Sequence, residues 1–262
     1  MSLFWIAIVL GIVEGLTEFL PVSSTGHLIL AERALAFTGA RADLFAVFIQ
    51  LGAILAVVWE YRARLRHALT GLSSRPQARN FAAAVALAFL PAATLGLLLH
   101  RWIEAVLFSP RSVAFALVAG ALAILIVEAL PLRPRTEEAE AVSWGQALAV
   151  GLAQCVALWP GFSRSAATIL GGLGAGLSRR AATEFSFFLA IPVMTAASAF
   201  SLRKHRHDLQ PGDGLALALA FVLSFLVAWA SIRWLLRYVA THRFRPFAWY
   251  RIALGLLVLW VF

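Results

Sequence analysis

Apolar residues dominate this chain in long runs, and the polar residues gather between the runs rather than alternating within them. Read at helical period, the runs predict about ten helical segments, at 3–18, 22–35, 43–59, 81–99, 113–130, 143–158, 164–176, 181–202, 213–238 and 247–262. The connections are short and carry the punctuation. Arg62, Arg64, Arg66, Arg75, Pro76 and Arg79 follow the third segment; Pro131, Arg133, Pro134, Arg135, Glu137 and Glu138 follow the fifth. Residues 203–208, from Arg203 to Asp208, and then Pro211-Gly212 follow the eighth.

Six of these segments are long enough to cross a hydrocarbon core of roughly 30 Å, which takes about 20 apolar residues. The other four are too short or too polar to cross alone. The first two meet at Pro21, within Glu18-Phe19-Leu20-Pro21-Val22-Ser23-Ser24-Thr25, and the sixth and seventh meet at Pro160-Gly161. Pro and Gly at membrane depth free backbone groups that lipid cannot satisfy, so such backbone must be buried in protein or line a wet cavity. Residues 1–35 and 143–176 are therefore expected to be two re-entrant helix–loop–helix hairpins. Their breaks resemble each other, Pro21 and Pro160 stand 139 positions apart, and each hairpin precedes three spanning segments. An odd number of spans inverts the second copy. The expected fold is all-α and integral to the membrane: one polytopic domain, 1–262, built as an inverted-topology repeat of 1–130 and 143–262 with its site at the repeat interface.

Composition supports the membrane reading: 61% of residues are hydrophobic and 13% charged, against about a quarter charged in soluble domains. The net charge of +9 would suggest nucleic acid in a soluble protein. Here 21 of the 22 basic residues are Arg, mostly in short connections, with no basic stripe interleaved with aromatics; no nucleic-acid partner is expected. Placing loop 60–80 in the cytoplasm puts twelve Arg there against seven basic residues, Arg206 among them, on the other side. The first hairpin then enters from outside and the second from inside. The first segment lacks a basic leader and carries Glu14 and Glu18, so no cleavable signal peptide is expected. Cys155 stands alone in an apolar run, which offers neither a disulfide nor a zinc site.

The chemistry sits at the two breaks. Glu14 and Glu18 are four apart, on one helix face among Ile12, Val13, Leu16, Phe19 and Leu20. Acids in such a setting read as functional, with a raised pKa or a cation or arginine between them. Ser23, Ser24, Thr25, Gly26 and His27 follow. A hydroxyl needs an adjacent base to become a nucleophile, so Ser23 or Ser24 is the candidate nucleophile with His27 or Glu18 as its base. In the second hairpin Gly161, Ser163, Arg164, Ser165 and Thr168 open a helix after a Pro-Gly turn. Helix N-terminal amides and a guanidinium fork make an anion seat. A phosphate held by Arg164 and attacked from the first hairpin fits both halves, since phosphoryl transfer rests on charge neutralisation and positioning.

At these residues the chain closely resembles the undecaprenyl-diphosphate phosphatases of the BacA type. EGLTEFLPVSSTGHL at 14–28 and PGFSRSAAT at 160–168 carry the resemblance, with FIQLGAILAVV at 48–58, FSFFLAIP at 185–192 and RPFAWYRIALG at 245–255. Ala166-Ala167 stands where that family often has Gly-Ala. The resemblance implies release of the terminal phosphate from undecaprenyl diphosphate, a polyprenyl lipid, regenerating the carrier for cell-wall synthesis and giving bacitracin resistance. It implies Glu14, Glu18, Ser24, His27 and Arg164 as the catalytic set. Ser23, Thr25, Gly26, Gly161, Ser163, Ser165 and Thr168 would line the phosphate site. It also implies a divalent cation, Mg²⁺ or Ca²⁺, at Glu14 and Glu18, a homodimer, and residence in the bacterial inner membrane with the site facing the periplasm. The competing reading is a polyprenyl-phosphate transporter or flippase using the same anion site.

Overall fold

The computed structural model describes residues 2–205 and 210–262; Arg206 and Asp208, read above in the connection after the eighth segment, lie outside the described residues. Eleven α-helices form among them: α1 (Leu3–Thr17), α2 (Ser24–Ala34), α3 (Ala40–Glu60), α4 (Arg62–Thr70), α5 (Pro76–Leu107), α6 (Pro110–Ala129), α7 (Trp144–Gln154), α8 (Arg164–Gly174), α9 (Arg179–His205), α10 (Asp213–Val239) and α11 (Arg245–Val261). The helix beyond the ten expected is α4. Its arginines mark a connection at the lipid surface, but Arg, Ala and Leu are also strong helix formers, and no Gly or Pro interrupts them before Gly71. Helix α5 is longer than the apolar run that predicts it. It starts on Pro76, whose fixed φ suits a first helical position, and keeps Pro91 inside.

Five helices, α3, α5, α6, α9 and α10, are long and apolar enough to cross a membrane. The sixth expected span, α11, has 17 residues, about 26 Å at 1.5 Å per residue. Large apolar side chains such as Leu97, Leu98, Leu122 and Ile126 point outward, and exposed Trp5, Trp59, Trp102, Trp144 and Trp260 stand near helix ends. That is the surface of a multi-pass membrane protein; amphipathic indoles in such proteins favour the headgroup level.

The helices interlock rather than stacking in chain order. Helix α1 packs on α10 and α7 on α5; α3 packs on α9 and α6 on α11. Small residues permit the close crossings. An added Cβ on Gly11 would sit 2.7 Å from the Ala220 carbonyl oxygen, and one on Gly151 would sit 2.6 Å from that of Ala88. At Gly52 the figure is 2.4 Å to the Phe221 carbonyl oxygen. Without a hydrophobic drive between helices in lipid, such contacts and interhelical hydrogen bonds hold the bundle. Ser224 donates to the Ile49 carbonyl at 2.6 Å, Ser198 to Gln50 at 2.9 Å, and the Trp229 indole to Glu60 at 2.6 Å. At the surface Arg64 of α4 bridges Glu140 and Glu184. Burial alone would pull its pKa down, but the two carboxylates hold it above the ordinary arginine value.

Gly52→Ala is expected to wedge α3 from α10 and to cost about 1–3 kcal/mol by overpacking. Thermal unfolding in detergent should show an earlier transition than wild type. Gly214→Ala, where nothing lies within 4 Å of the new methyl, should melt like wild type.

Candidate active site

Each hairpin breaks at a serine with positive φ. Ser23 (φ 71°) caps α2 and Ser163 (φ 76°) caps α8; each hydroxyl accepts from the backbone amide three residues on, Gly26 at 3.4 Å and Ala166 at 3.2 Å. A non-glycine residue in this region costs of order 1–3 kcal/mol, and such strain concentrates at functional sites. The strained turn sets the next side chain at the first position of its helix: Ser24 on α2, Arg164 on α8. Among the described residues nothing accepts the amides of Ser23, Ser24 and Thr25, or those of Ser163, Arg164 and Ser165. Two helix N-termini with open donors are thus brought together, an arrangement that attracts anions.

The hairpins touch directly. The Ser165 hydroxyl donates to the Leu20 carbonyl at 2.8 Å, and Arg164 Nη2 lies 3.5 Å from Glu18 Oε1. The other oxygen of Glu18, Oε2, accepts from the Ser24 hydroxyl at 2.6 Å. Glu18 therefore stands between a hydroxyl it can deprotonate and a guanidinium it holds loosely, beyond the roughly 2.7–2.9 Å of a tight charge-assisted bond. Arg164 Nη1 donates to the Ser186 carbonyl at 3.1 Å, while its Nε is buried without an acceptor among the described residues. Glu14, one turn below Glu18 on the same helix face, is 2% exposed. Its Oε2 has no partner among the described residues.

The remaining predicted residues divide. His27 Nδ1 lies 2.7 Å from the Ser23 carbonyl, so that nitrogen carries the proton. His27 Nε2 is then the acceptor for the Tyr250 hydroxyl at 2.6 Å, with the two rings stacked. Both ring nitrogens are thus engaged away from Ser24 and Glu18. The Ser163 hydroxyl lies 3.0 Å from that of Ser165. Thr168 turns into the protein, donating to the Arg164 carbonyl at 2.9 Å and meeting the Ser186 hydroxyl at 2.7 Å. Thr25 is half-buried on the first turn of α2, and Gly26 packs where a Cβ would come 3.0 Å from Leu117. Gly161 (φ 99°) sits against Val113, leaving no room for a side chain.

Two further residues that touch the hairpins, Tyr250 and Arg251, escape sequence reasoning, and Gln154 is an unexpected buried polar group. Tyr250 engages His27, and Arg251 donates to loop carbonyls of both hairpins. Gln154, at the end of α7, is 2% exposed with neither amide atom partnered among the described residues. A signal existed for Arg251: an ionisable residue inside an apolar helix reads as functional by default.

No cluster of three His, Cys, Asp or Glu exists among the described residues. Mg²⁺, however, is commonly held by one or two carboxylates together with substrate phosphates and water. The unpartnered Glu14 oxygen beside Glu18 suits that mode.

The family model described as "Bacitracin resistance protein BacA" matches residues 7–257. A protein of Nitrosospira multiformis named undecaprenyl-diphosphatase is 55% identical over 252 residues, covering 96% of this chain and 92% of that protein. Undecaprenyl-diphosphatase 1 of Paraburkholderia xenovorans is 55% identical over 260 residues, covering 97% and 94%. The undecaprenyl-diphosphatase of Cupriavidus necator is 50% identical, covering 97% and 93%.

Proposed function

The chain belongs to the BacA family of bacitracin resistance proteins, and from that premise we propose that the two hairpins form the site at which it hydrolyses undecaprenyl diphosphate. The observation that carries the assignment of roles is the Ser24 hydroxyl on Glu18 at 2.6 Å, with Arg164 on the same carboxylate. The terminal phosphate binds at the two helix N-termini, and the Arg164 guanidinium exchanges its loose contact with Glu18 for phosphate oxygens. Ser24 Oγ attacks the terminal phosphorus while Glu18 takes its proton. The bond to the bridging oxygen breaks, and undecaprenyl phosphate leaves. Glu18 passes its proton to water and then takes one from the water that attacks the phosphoserine. That proton goes to Ser24 Oγ as inorganic phosphate departs. His27, engaged by Tyr250, orients the first turn of α2. Glu14 and Glu18 would hold a divalent cation, Mg²⁺ or Ca²⁺, together with phosphate oxygens; when bound it supplies charge neutralisation.

The same reading extends to the architecture. Pairing of α1 with α10 and α7 with α5, and of α3 with α9 and α6 with α11, supports an inverted repeat. So do Ser23 and Ser163, Gly11 and Gly151, and Glu14 and Gln154, all offset by 140 residues. The excess of Arg in the loops that fall on the same side as 60–80 supports a site facing outward.

A carrier needs the anion seat but has no use for a hydroxyl held on a carboxylate. The test is phosphate release from undecaprenyl diphosphate by the detergent-purified protein with Mg²⁺, beside lipid movement in proteoliposomes. Stoichiometric undecaprenyl phosphate and inorganic phosphate are expected. Lipid movement without either product would overturn the proposal.

A further inference from the structure

A buried positive charge in a membrane protein is costly unless its donors are satisfied and its charge is used. Arg251, on α11, is 0% exposed. No carboxylate pairs with it among the described residues; its acceptors are all carbonyls. Nε donates to Leu117 at 3.2 Å, and Nη1 to Pro21 at 3.2 Å. Nη2 reaches Ala116 at 3.3 Å, Gly161 at 3.1 Å and Phe162 at 2.8 Å. Pro21 belongs to the first break, Gly161 and Phe162 to the second, and Ala116 and Leu117 to α6. One rigid, planar fork therefore ties both broken loops to the same spanning helix.

The loops need such a partner because a helix break leaves carbonyls that lipid cannot satisfy. The consequence reaches the site. Carbonyl and amide point in opposite directions across a trans peptide. Pinning the Phe162 carbonyl on Arg251 thus aims the Ser163 amide the other way, toward the open end of α8. The same hydrogen bonds hold Pro21, three residues before Ser24, and Phe162, two before Arg164. The fold also reserves space for the fork. A Cβ on Gly120 would lie 2.0 Å from Arg251 Nη2, so only glycine leaves the guanidinium where it is.

We propose that Arg251 is a positioning residue for phosphoryl transfer, clamping the two hairpin loops on α6 and setting the distance between the Ser24–Glu18 pair and Arg164. It rests on the hydrolase reading above, and it asks for geometry rather than charge alone. Lysine would keep the charge but lose the planar five-donor fork.

The experiment compares wild type, Arg251→Lys, Arg251→Met and Gly120→Ala, purified in detergent, for kcat, KM and melting temperature. Gly120→Ala disturbs the clamp without removing it, and so decides the matter if the Arg251 variants fail to fold. Leu122→Ala on the lipid face of α6 and the destabilised Gly52→Ala serve as references. Misplacement by about 1 Å costs on the order of 10²-fold in rate. Gly120→Ala and Arg251→Lys are therefore expected to lose kcat on that scale with KM within a few-fold, and Arg251→Met to lose more. Wild-type kcat in folded Gly120→Ala or Arg251→Lys overturns the proposal. So does a loss of activity no larger than Gly52→Ala shows at an equal fall in melting temperature. Absence of phosphate release from wild type itself would instead strike the hydrolase reading.

Discussion

Arg164→Ala is expected to lower kcat for phosphate release by about 10³-fold or more, the range set by arginines that meet transferring phosphoryl groups. The guanidinium is 12% exposed in its side chain, and it faces Glu18 at 3.5 Å while Ser186 anchors its other end. Alanine removes both the phosphate grip and the cation nearest Glu18. Two acids, Glu14 and Glu18, would then share a poorly solvated face with no compensating charge, which also raises the cost of admitting a diphosphate. Arg164→Lys should recover only part of the loss, because an ammonium cannot bind Ser186 and two phosphate oxygens in one plane. Steady-state kinetics on detergent-solubilised protein of verified helical content would measure both. An Arg164→Ala enzyme within about tenfold of wild type would mean that the anion is held elsewhere.

Ser24→Ala should be more severe still. Removing a nucleophile costs up to about 10⁶-fold when the residues act as a unit, and such losses are not additive. Ser24→Ala, Glu18→Gln and the double variant are accordingly expected to fall by at least about 10⁴-fold, with the double no worse than the worse single. His27→Gln, whose ring bonds Ser23 and Tyr250 rather than Ser24, should lose far less. Rapid quenching followed by mass spectrometry of the peptide carrying Ser24 should find a phosphoserine in wild type. Turnover by Ser24→Ala at a tenth of the wild-type rate or better would exclude the covalent route and leave direct attack by water.

The apolar runs and the two polar breaks carry most of this architecture because lipid leaves the backbone few options. Wherever the runs are long the helices appear, and where Pro21 and Pro160-Gly161 interrupt them the chain turns. The helix ends that differ from the sequence expectation are those where charge interrupts an apolar run. Arg62–Thr70 is helical, and α5 runs from Pro76 to Leu107, because Arg, Gln and His continue a helix as readily as they mark an interface. Within the site, residue types and spacing pick out Glu18, Ser24 and Arg164. The proposed preference for Ser24 over Ser23 rests on the positive φ of Ser23, which turns its hydroxyl into a cap, and that for Glu18 over His27 rests on the hydrogen bond from Ser24. Tyr250 carries no mark in the sequence, and the setting of Arg251 in an apolar helix does not say what it binds. Their partners lie more than two hundred residues upstream at Pro21 and His27, and no local pattern announces a contact of that length.

That separation has a consequence for biogenesis. The first hairpin leaves the ribosome early, yet α10, which covers α1, and α11, which carries Arg251, are made some two hundred residues later. Until they arrive, α1 lacks the helix that covers it, and the Pro21 carbonyl has no guanidinium. Freed backbone of this kind needs water or protein around it until those helices are in place. Catalytic competence then comes in one late closing step rather than growing helix by helix.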